Sequence, residues 1–138
     1  MTDRNIHITE FDNKRLRDLL AEARYTNYRG SEYLADLEHE LNRAKVVDPK
    51  IVPPDLVTMN SRVRLEDLET GEELVYTLVF PEDANLSENK ISILAPIGTA
   101  MLGYRVGDVF EWKVPGGISR MKIKELIYQP EAAGDFHL

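Results

Sequence analysis

Hydrophobic side chains recur with helical spacing near the start of the chain. Four of them fall at i, i+3, i+4 and i+7, so they share one face of a helix. These four are Leu16, Leu19, Leu20 and Ala23. Thr9, followed three residues later by Asp12, is a start signal of the capping-box type. The pattern predicts a helix over residues 9–24.

A second hydrophobic series follows a break that reads "YTNYRGS". Asn27 and Gly30 tolerate the positive φ of a tight turn, and Ser31 can cap the next helix. The hydrophobic positions that follow have heptad-like spacing. They are Leu34, Leu37, Leu41 and Ala44. Two helices of similar length with a short connection are expected to pack antiparallel.

The predicted hairpin has three possible roles. Arms of about 15 residues, rising about 1.5 Å per residue, reach about 22 Å. Such a hairpin can project from the protein, fold into an ordinary core, or self-associate through its leucine faces. Tyr25, Tyr28 and Tyr33 flank the turn, and tyrosines both cover helix ends and serve as binding anchors. The residue pattern leaves these alternatives open.

The pattern changes after residue 46. Three prolines within six positions, Pro49, Pro53 and Pro54, exclude a helix interior. They predict a linker or an extended lead-in near residues 46–56. The expected division is therefore a helical hairpin over residues 1–46 and a second domain over residues 47–138.

The second domain alternates hydrophobic and polar residues with the period of half-buried strands. The predicted strands are "SRVRLEDL", "EELVYTLVF", "VFEWKV" and "ISRMKIKELIY", and "ISILA" is predicted as a short apolar strand. Thr70-Gly71 and the "PGG" at 115–117 supply turns. About five strands and one short helix predict an α+β fold with an antiparallel sheet.

Glycines punctuate the segment "APIGTAMLGYRVGD". Gly98 and Gly103 are expected to bracket the short helix, and Gly107-Asp108 to form the turn before the next strand. A phosphate cradle is the alternative interpretation of these glycines, and we favour the structural one.

The composition fits one folded domain, or one compact domain with a small appendage. The chain has 138 residues, of which 43% are hydrophobic and 30% charged. It contains no cysteine, which excludes disulfides and thiolate metal sites and suits a reducing cytoplasm. The first residues lack the apolar run of a signal peptide, and no stretch approaches the roughly 20 apolar residues that span a bilayer. A cytoplasmic location without membrane contact is expected.

The charge is unevenly distributed. The net charge is −7, and residues 1–46 hold 8 Lys/Arg and 9 Asp/Glu, whereas the rest holds 9 and 15. Binding to free nucleic acid depends on neutralising phosphates, so an acidic chain is poorly suited to it. A protein partner with a basic surface is expected instead.

Motifs of catalysis are absent from the sequence. It contains no P-loop, no dinucleotide fingerprint and no G-x-S-x-G segment. His7, His39 and His137 are scattered without ligand spacing, so no metal site is expected. We therefore predict no enzyme activity, no catalytic residue and no cofactor.

The domain after residue 46 resembles the Gre transcript-cleavage factor family of bacteria. That family carries a Ser-Pro-Leu/Ile-Gly-x-Ala-Leu-Leu-Gly segment, a Gly-Asp turn, and an isoleucine and a tyrosine at the end of its last strand. The matching positions are Ala95 to Gly103, Gly107-Asp108 and Ile127-Tyr128, with Ala95 in place of the family serine. The short hairpin, "VTMNSRV", "VPGG" and "YQPEAAGDF" are similar to a branch of the family named for regulation of nucleoside diphosphate kinase.

The resemblance implies a fold and a partner. It implies an FKBP-like C-terminal domain, an antiparallel coiled-coil N-terminal domain, and binding to RNA polymerase at the rim of the secondary channel with the hairpin pointing inward. The residues it implies as contacts to that rim are Pro96, Ile97, Gly98, Thr99, Ala100 and Met101. The alternative for these six is that they only pack the fold.

The hairpin tip departs from the cleavage factors. Those factors carry an Asp-x-x-Glu pair there, because carboxylates complete the coordination of a second Mg²⁺ in the polymerase. Here no acid lies between Glu22 and Glu32. The tip instead offers Arg24, Tyr25, Asn27, Tyr28 and Arg29. We therefore expect a non-catalytic regulator that occupies the channel and competes with Gre-type factors.

The role of the tip arginines stays open. They can contact acidic channel walls, or DNA or RNA phosphate inside the polymerase complex, or lie in a solvated turn. Two alternative functions also remain. An FKBP-like fold suggests a peptidyl-prolyl isomerase, although fold alone does not carry function and the chain has one Trp for an aromatic pocket. Direct binding of nucleoside diphosphate kinase is the other, and no residue argues for it.

Overall fold

The computed structural model describes residues 6–23 and 32–135. Among them it has a mixed α+β architecture, which confirms the predicted fold class at that level. The helices are α1 (Glu10–Ala23), α2 (Glu32–Arg43), α3 (Pro96–Met101) and α4 (Pro130–Ala133). The strands are β1 (His7–Thr9), β2 (Lys45–Val47), β3 (Arg62–Asp67), β4 (Glu73–Val79), β5 (Lys90–Ser92), β6 (Val109–Val114) and β7 (Gly117–Tyr128). Short 3-10 helices lie at Pro49–Ile51, Pro81–Asp83 and Leu86–Glu88.

Both predicted long helices are present. Thr9 starts α1 as expected, since its Oγ1 accepts a hydrogen bond of 3.0 Å from the backbone N–H of Asp12. The hydrophobic series of α2 is buried at Leu34, Leu37 and Leu41. Its proposed cap at Ser31 lies outside the described residues. None of the described helices has the length and apolar character needed to cross a membrane.

A parallel pair of short strands connects the N-terminal end of α1 with the C-terminal end of α2. β1 directly precedes α1 and β2 directly follows α2, and Ile8 pairs with Val46. The predicted linker therefore begins as a strand and continues as the 3-10 helix at Pro49–Ile51, where Asp48 accepts a hydrogen bond from the Lys50 N–H. Strands of three residues are too short to show an alternating pattern, which is why the pair was not predicted.

The main sheet has five strands in the order β5-β4-β3-β7-β6. The prediction of a wholly antiparallel sheet is wrong, because β5 pairs parallel to β4, with Thr77 opposite Lys90. The polar segment after β4 contains two 3-10 helices and carries the chain back along the sheet before β5 begins. The other pairs are antiparallel, and the predicted turn at 115–117 joins β6 to β7.

The glycines of the α3 segment serve packing. Gly98 lies inside α3, not at its start as predicted, and a Cβ there would collide with the Ser92 carbonyl oxygen. Gly103 follows the helix with φ +84°, and a Cβ there would lie 2.8 Å from the Ile6 Cβ. Gly107 and Asp108 precede β6 as predicted. These close contacts support the structural interpretation of the glycines.

One hydrophobic cluster joins the helices to the sheet. It contains leucines of α1 and α2, residues from all five strands of the main sheet, and residues of α3. Representative members are Leu16, Leu37, Leu65, Met101 and Ile123. The base of the helical pair is therefore embedded in the same core as the sheet. The division into domains at residues 46 and 47 stays a prediction.

Candidate functional site

A groove of about 320 Å³ lies where α2, α3 and β6 meet. Its lining residues are Asp36, His39, Glu40, Leu94, Pro96, Thr99, Ala100, Tyr104, Glu111 and Trp112. The α2 residues share one helical face because they are spaced i, i+3 and i+4. Neighbouring residues of a strand point to opposite faces, so a groove lined by both Glu111 and Trp112 reaches around the free edge of the sheet.

The structure divides the six predicted rim-contact residues into two groups. Ile97, Gly98, Thr99 and Met101 are buried, whereas Pro96 is exposed and Ala100 is half-buried. Thr99 Oγ1 donates a hydrogen bond of 2.6 Å to the Ile93 carbonyl and so holds α3 against the sheet. Pro96, Thr99 and Ala100 line the groove. Of the predicted set, Pro96 and Ala100 are therefore the side chains that a docking protein can reach.

The predicted tip residues lie outside the described part of the chain. They are Arg24, Tyr25, Asn27, Tyr28 and Arg29. Their role in function stays a prediction.

Carboxylates dominate the charge of the groove. Glu40 accepts a 2.8 Å hydrogen bond from Arg43, which also donates to the Tyr104 hydroxyl at 3.2 Å. Burial lowers the pKa of Arg43, but the contacts with Glu40 and Tyr104 outweigh burial and hold that pKa above its ordinary value. Within the described residues, Asp36 and Glu111 have no hydrogen bond or ion pair. Among the residues that the structure describes, these two carboxylates of α2 and β6 line the same groove without a partner.

A second charged cluster lies at the junction between α1 and the sheet. Asp12 is buried, with Oδ1 accepting from Arg15 Nη2 at 2.6 Å and Oδ2 accepting from the Met59 N–H at 2.9 Å. Burial raises the pKa of Asp12 to about 6, although hydrogen bonds from Met59 and Arg15 partly lower it. The Arg15 guanidinium lies 3.8 Å from the Phe11 ring centroid and 4.8 Å from that of Phe80.

The junction extends to the C-terminal helix. Thr58 Oγ1 donates to Glu131 at 2.7 Å, and Ser61 Oγ accepts from the Thr58 N–H at 3.0 Å. Gln129 donates to the carbonyls of Pro53 and Leu56 at 2.9 and 2.6 Å. The segment "VTMNSRV" is therefore held from α1 on one side and from α4 on the other. This cluster fixes the helices on the sheet.

Among the residues that the structure describes, no group of three or more His, Asp or Glu side chains could hold a metal ion. Sequence reasoning did not identify Tyr104, Glu111 and Trp112 as site residues. No signal in the sequence could have done so, because these residues are distant from α2 along the chain and meet it only through the fold.

The chain matches two family profiles. Residues 52–128 match the profile described as "Transcription elongation factor, GreA/GreB, C-term". Residues 4–47 match the profile described as "Rnk N-terminus". The two matches meet close to the predicted division between the helices and the sheet.

Individual relatives extend these matches. The chain is 42% identical to the "Regulator of nucleoside diphosphate kinase" of Escherichia coli, over 100% of both chains. It is 36% identical to transcription elongation factor GreA of Syntrophus aciditrophicus, over 70% of this chain and 60% of that protein. A solved GreA/GreB elongation factor from Nitrosomonas europaea superposes with a TM-score of 0.73 and 47% identity, covering 89% of this chain and 99% of that one.

Proposed function

The chain belongs to the GreA/GreB family of transcription elongation factors, and on this basis we propose that it is a non-catalytic regulator of RNA polymerase. It binds the rim of the secondary channel and competes there with Gre-type factors without stimulating transcript cleavage. This proposal includes the finer fold assignment, an FKBP-like sheet domain carrying a short antiparallel coiled coil.

The absent acid pair is the observation that carries the proposal. A cleavage factor must bring carboxylate oxygens to a second Mg²⁺, because that hard cation prefers oxygen ligands. Between Glu22 and Glu32 this chain has two arginines and no acid. Cationic side chains cannot ligate Mg²⁺, so the tip fills the channel without supplying the metal site.

The lengths of the two described helices set how far the hairpin reaches. α1 has 14 residues and α2 has 12. At about 1.5 Å per residue, the described helices are about 21 and 18 Å long. The junction at Asp12 and Arg15 fixes α1 on the sheet, so docking of the sheet domain also orients the hairpin.

The groove supplies a docking surface for the proposal. Pro96 and Ala100 border it beside carboxylates of α2 and β6. Charge complementarity favours a basic surface of the partner and speeds the encounter. The position of the implied rim contacts beside this groove supports docking through this face.

A competition experiment tests the proposal. Core polymerase is incubated with this protein and a labelled GreA, and displacement of the label is measured. Backtracked complexes are assayed in parallel for transcript cleavage. Displacement without cleavage supports the proposal. Absence of binding at micromolar concentration, absence of competition, or cleavage that depends on this chain contradicts it.

Regulation of nucleoside diphosphate kinase is the second candidate function. It is favoured by one observation, the name of the Escherichia coli relative that is 42% identical over both full lengths. Titration calorimetry between the two purified proteins tests it, and a measurable complex would support it. A peptidyl-prolyl isomerase is less favoured, because the groove has three carboxylates and only two aromatic rings.

A further inference from the structure

This fold holds two of its own arginines between a carboxylate and an aromatic residue. Arg15 donates to Asp12 at 2.6 Å and lies against Phe11 and Phe80. Arg43 donates to Glu40 at 2.8 Å. It also donates at 3.2 Å to the hydroxyl of Tyr104. Each guanidinium thus meets a carboxylate, and its second contact is with aromatic ring faces for Arg15 and with a phenol hydroxyl for Arg43.

The groove contains a third set of these groups. Asp36 on α2 and Glu111 on β6 are exposed carboxylates, and Trp112 lies beside them in the same lining. Within the described residues, neither carboxylate has a cationic partner. The set therefore has the acids and the aromatic ring, but no arginine of the described chain occupies it.

We propose that the groove receives an arginine side chain from a basic segment of the protein partner, between Asp36 and Glu111 and against Trp112. The proposal rests on the proposed function, which makes that partner RNA polymerase. The guanidinium donates to both carboxylates, while the hydrocarbon stem of the arginine packs against Pro96 and Ala100. A guanidinium is favoured over an ammonium because it is planar, has five donors and is less strongly hydrated.

Other occupants fit the groove less well. An anionic segment would face the carboxylates of Asp36, Glu40 and Glu111. A metal ion has no group of three suitable side chains among the described residues. The neighbouring Glu40 is already engaged by Arg43, so the unpaired charge is concentrated on the other two acids.

Trp112 makes the inference testable without polymerase. It is the one tryptophan of the chain, so intrinsic fluorescence reports on the groove. The intact protein is titrated with a short alanine-based peptide that carries several arginines, and with the same peptide in which citrulline replaces every arginine. A saturable change of emission with the arginine peptide, absent with the citrulline peptide, supports the proposal. An equal response to both peptides overturns it.

A charge-matched pair of variants tests the groove on polymerase. Asp36→Asn with Glu111→Gln removes two charges from the groove. Glu69→Gln with Glu82→Gln removes two charges from exposed positions that do not line it. The groove variant is expected to bind core polymerase about 10- to 100-fold more weakly, as for lost charge-assisted hydrogen bonds, while the control changes by less than about threefold.

The outcomes separate the inference from the proposed function. Undiminished polymerase binding by the groove variant overturns the arginine site and leaves the function standing. Failure of the unaltered protein to bind polymerase contradicts the proposed function, and the peptide titration then decides whether the groove accepts arginine. Circular dichroism of both variants checks that the fold is retained.

Discussion

Asp12 and Asp36 are carboxylates on two neighbouring helices, in opposite environments. Asp12 lies in the junction between α1 and the sheet, where it is buried and bound by Arg15 and the Met59 N–H. Asp36 lies in the groove beside α3 and β6, exposed and without a partner among the described residues. The same functional group therefore lies in two contrasting environments in one small protein.

The difference follows from desolvation. A carboxylate removed from water must be compensated by nearby donors, and removing one donor then destabilises the fold. A carboxylate left in water contributes little to folding, because solvent screens it. Its electrostatic interaction becomes strong only when a docking partner excludes the water around it. The junction is expected to control stability, and the groove to control binding.

The largest expected effect comes from breaking the junction. Arg15→Ala leaves the buried Asp12 without its cation and removes the packing against Phe11 and Phe80. The free energy of unfolding is expected to fall by about 3–5 kcal/mol at neutral pH. Urea denaturation measures it. Arg17→Ala is the matched control on the exposed side of α1, with an expected loss below about 1 kcal/mol. Equal losses would contradict the comparison.

The next largest expected effect is a pH dependence of the unfolding free energy, which arises from Asp12. The unfolded value of its pKa is 3.8 and the folded value is about 6, so the folded state holds the proton more tightly. The stability due to this carboxyl is complete below about pH 4 and is lost as the pH rises through about 6. About two pKa units correspond to roughly 3 kcal/mol.

Asp12→Asn tests this dependence, because an amide does not titrate. Unfolding free energies of both proteins are measured from about pH 4 to pH 7. Relative to the variant, the unaltered protein is expected to lose stability as the pH rises across this window. Asp36→Asn is the control and should keep the dependence, since Asp12 remains. If the difference in unfolding free energy between the unaltered protein and the Asp12 variant does not change with pH, the effect of burial on Asp12 is contradicted.

A smaller loss of stability is expected from a substitution in α3, which lines the groove. In Gly98→Ala the added Cβ collides with the Ser92 carbonyl oxygen unless the backbone moves. α3 must shift away from β5, at a cost of about 1–3 kcal/mol. Polymerase binding should weaken together with stability, because Pro96 and Ala100 move with α3. Unchanged thermal unfolding would show that α3 tolerates the shift.

The smallest expected effect is a gain in stability. Ala95 occupies the N-cap position of α3, where its side chain makes no hydrogen bond. In Ala95→Ser the new hydroxyl can accept from an N–H of the first turn, adding about 0.5–1 kcal/mol to stability. Differential scanning calorimetry measures the shift. Ala95→Val, which has no acceptor, should show no gain, and an equal gain in both would exclude capping as the cause.

The elements themselves were largely predictable from sequence. The leucines of α1 and α2, the alternation in β3 and β6, and the turn at 115–117 all depend on neighbours within a few residues. The missing acid pair between Glu22 and Glu32 is likewise a property of the chain alone. Local periodicity and residue chemistry carry this information because helices and strands have short repeats.

The tertiary structure decided what the local pattern could not contain. The parallel pairing of β5 with β4 depends on the path of the segment between them. The burial of Asp12 and the exposure of Asp36 depend on which surface packs against each helix, although both residues read as ordinary helical acids in sequence. Glu111 and Trp112 join Asp36 in one groove only because β6, at the edge of the sheet, lies beside α2 and α3. Solvent access and long-range proximity are properties of the packed chain, and they determine which charges stabilise the protein and which remain available to a partner.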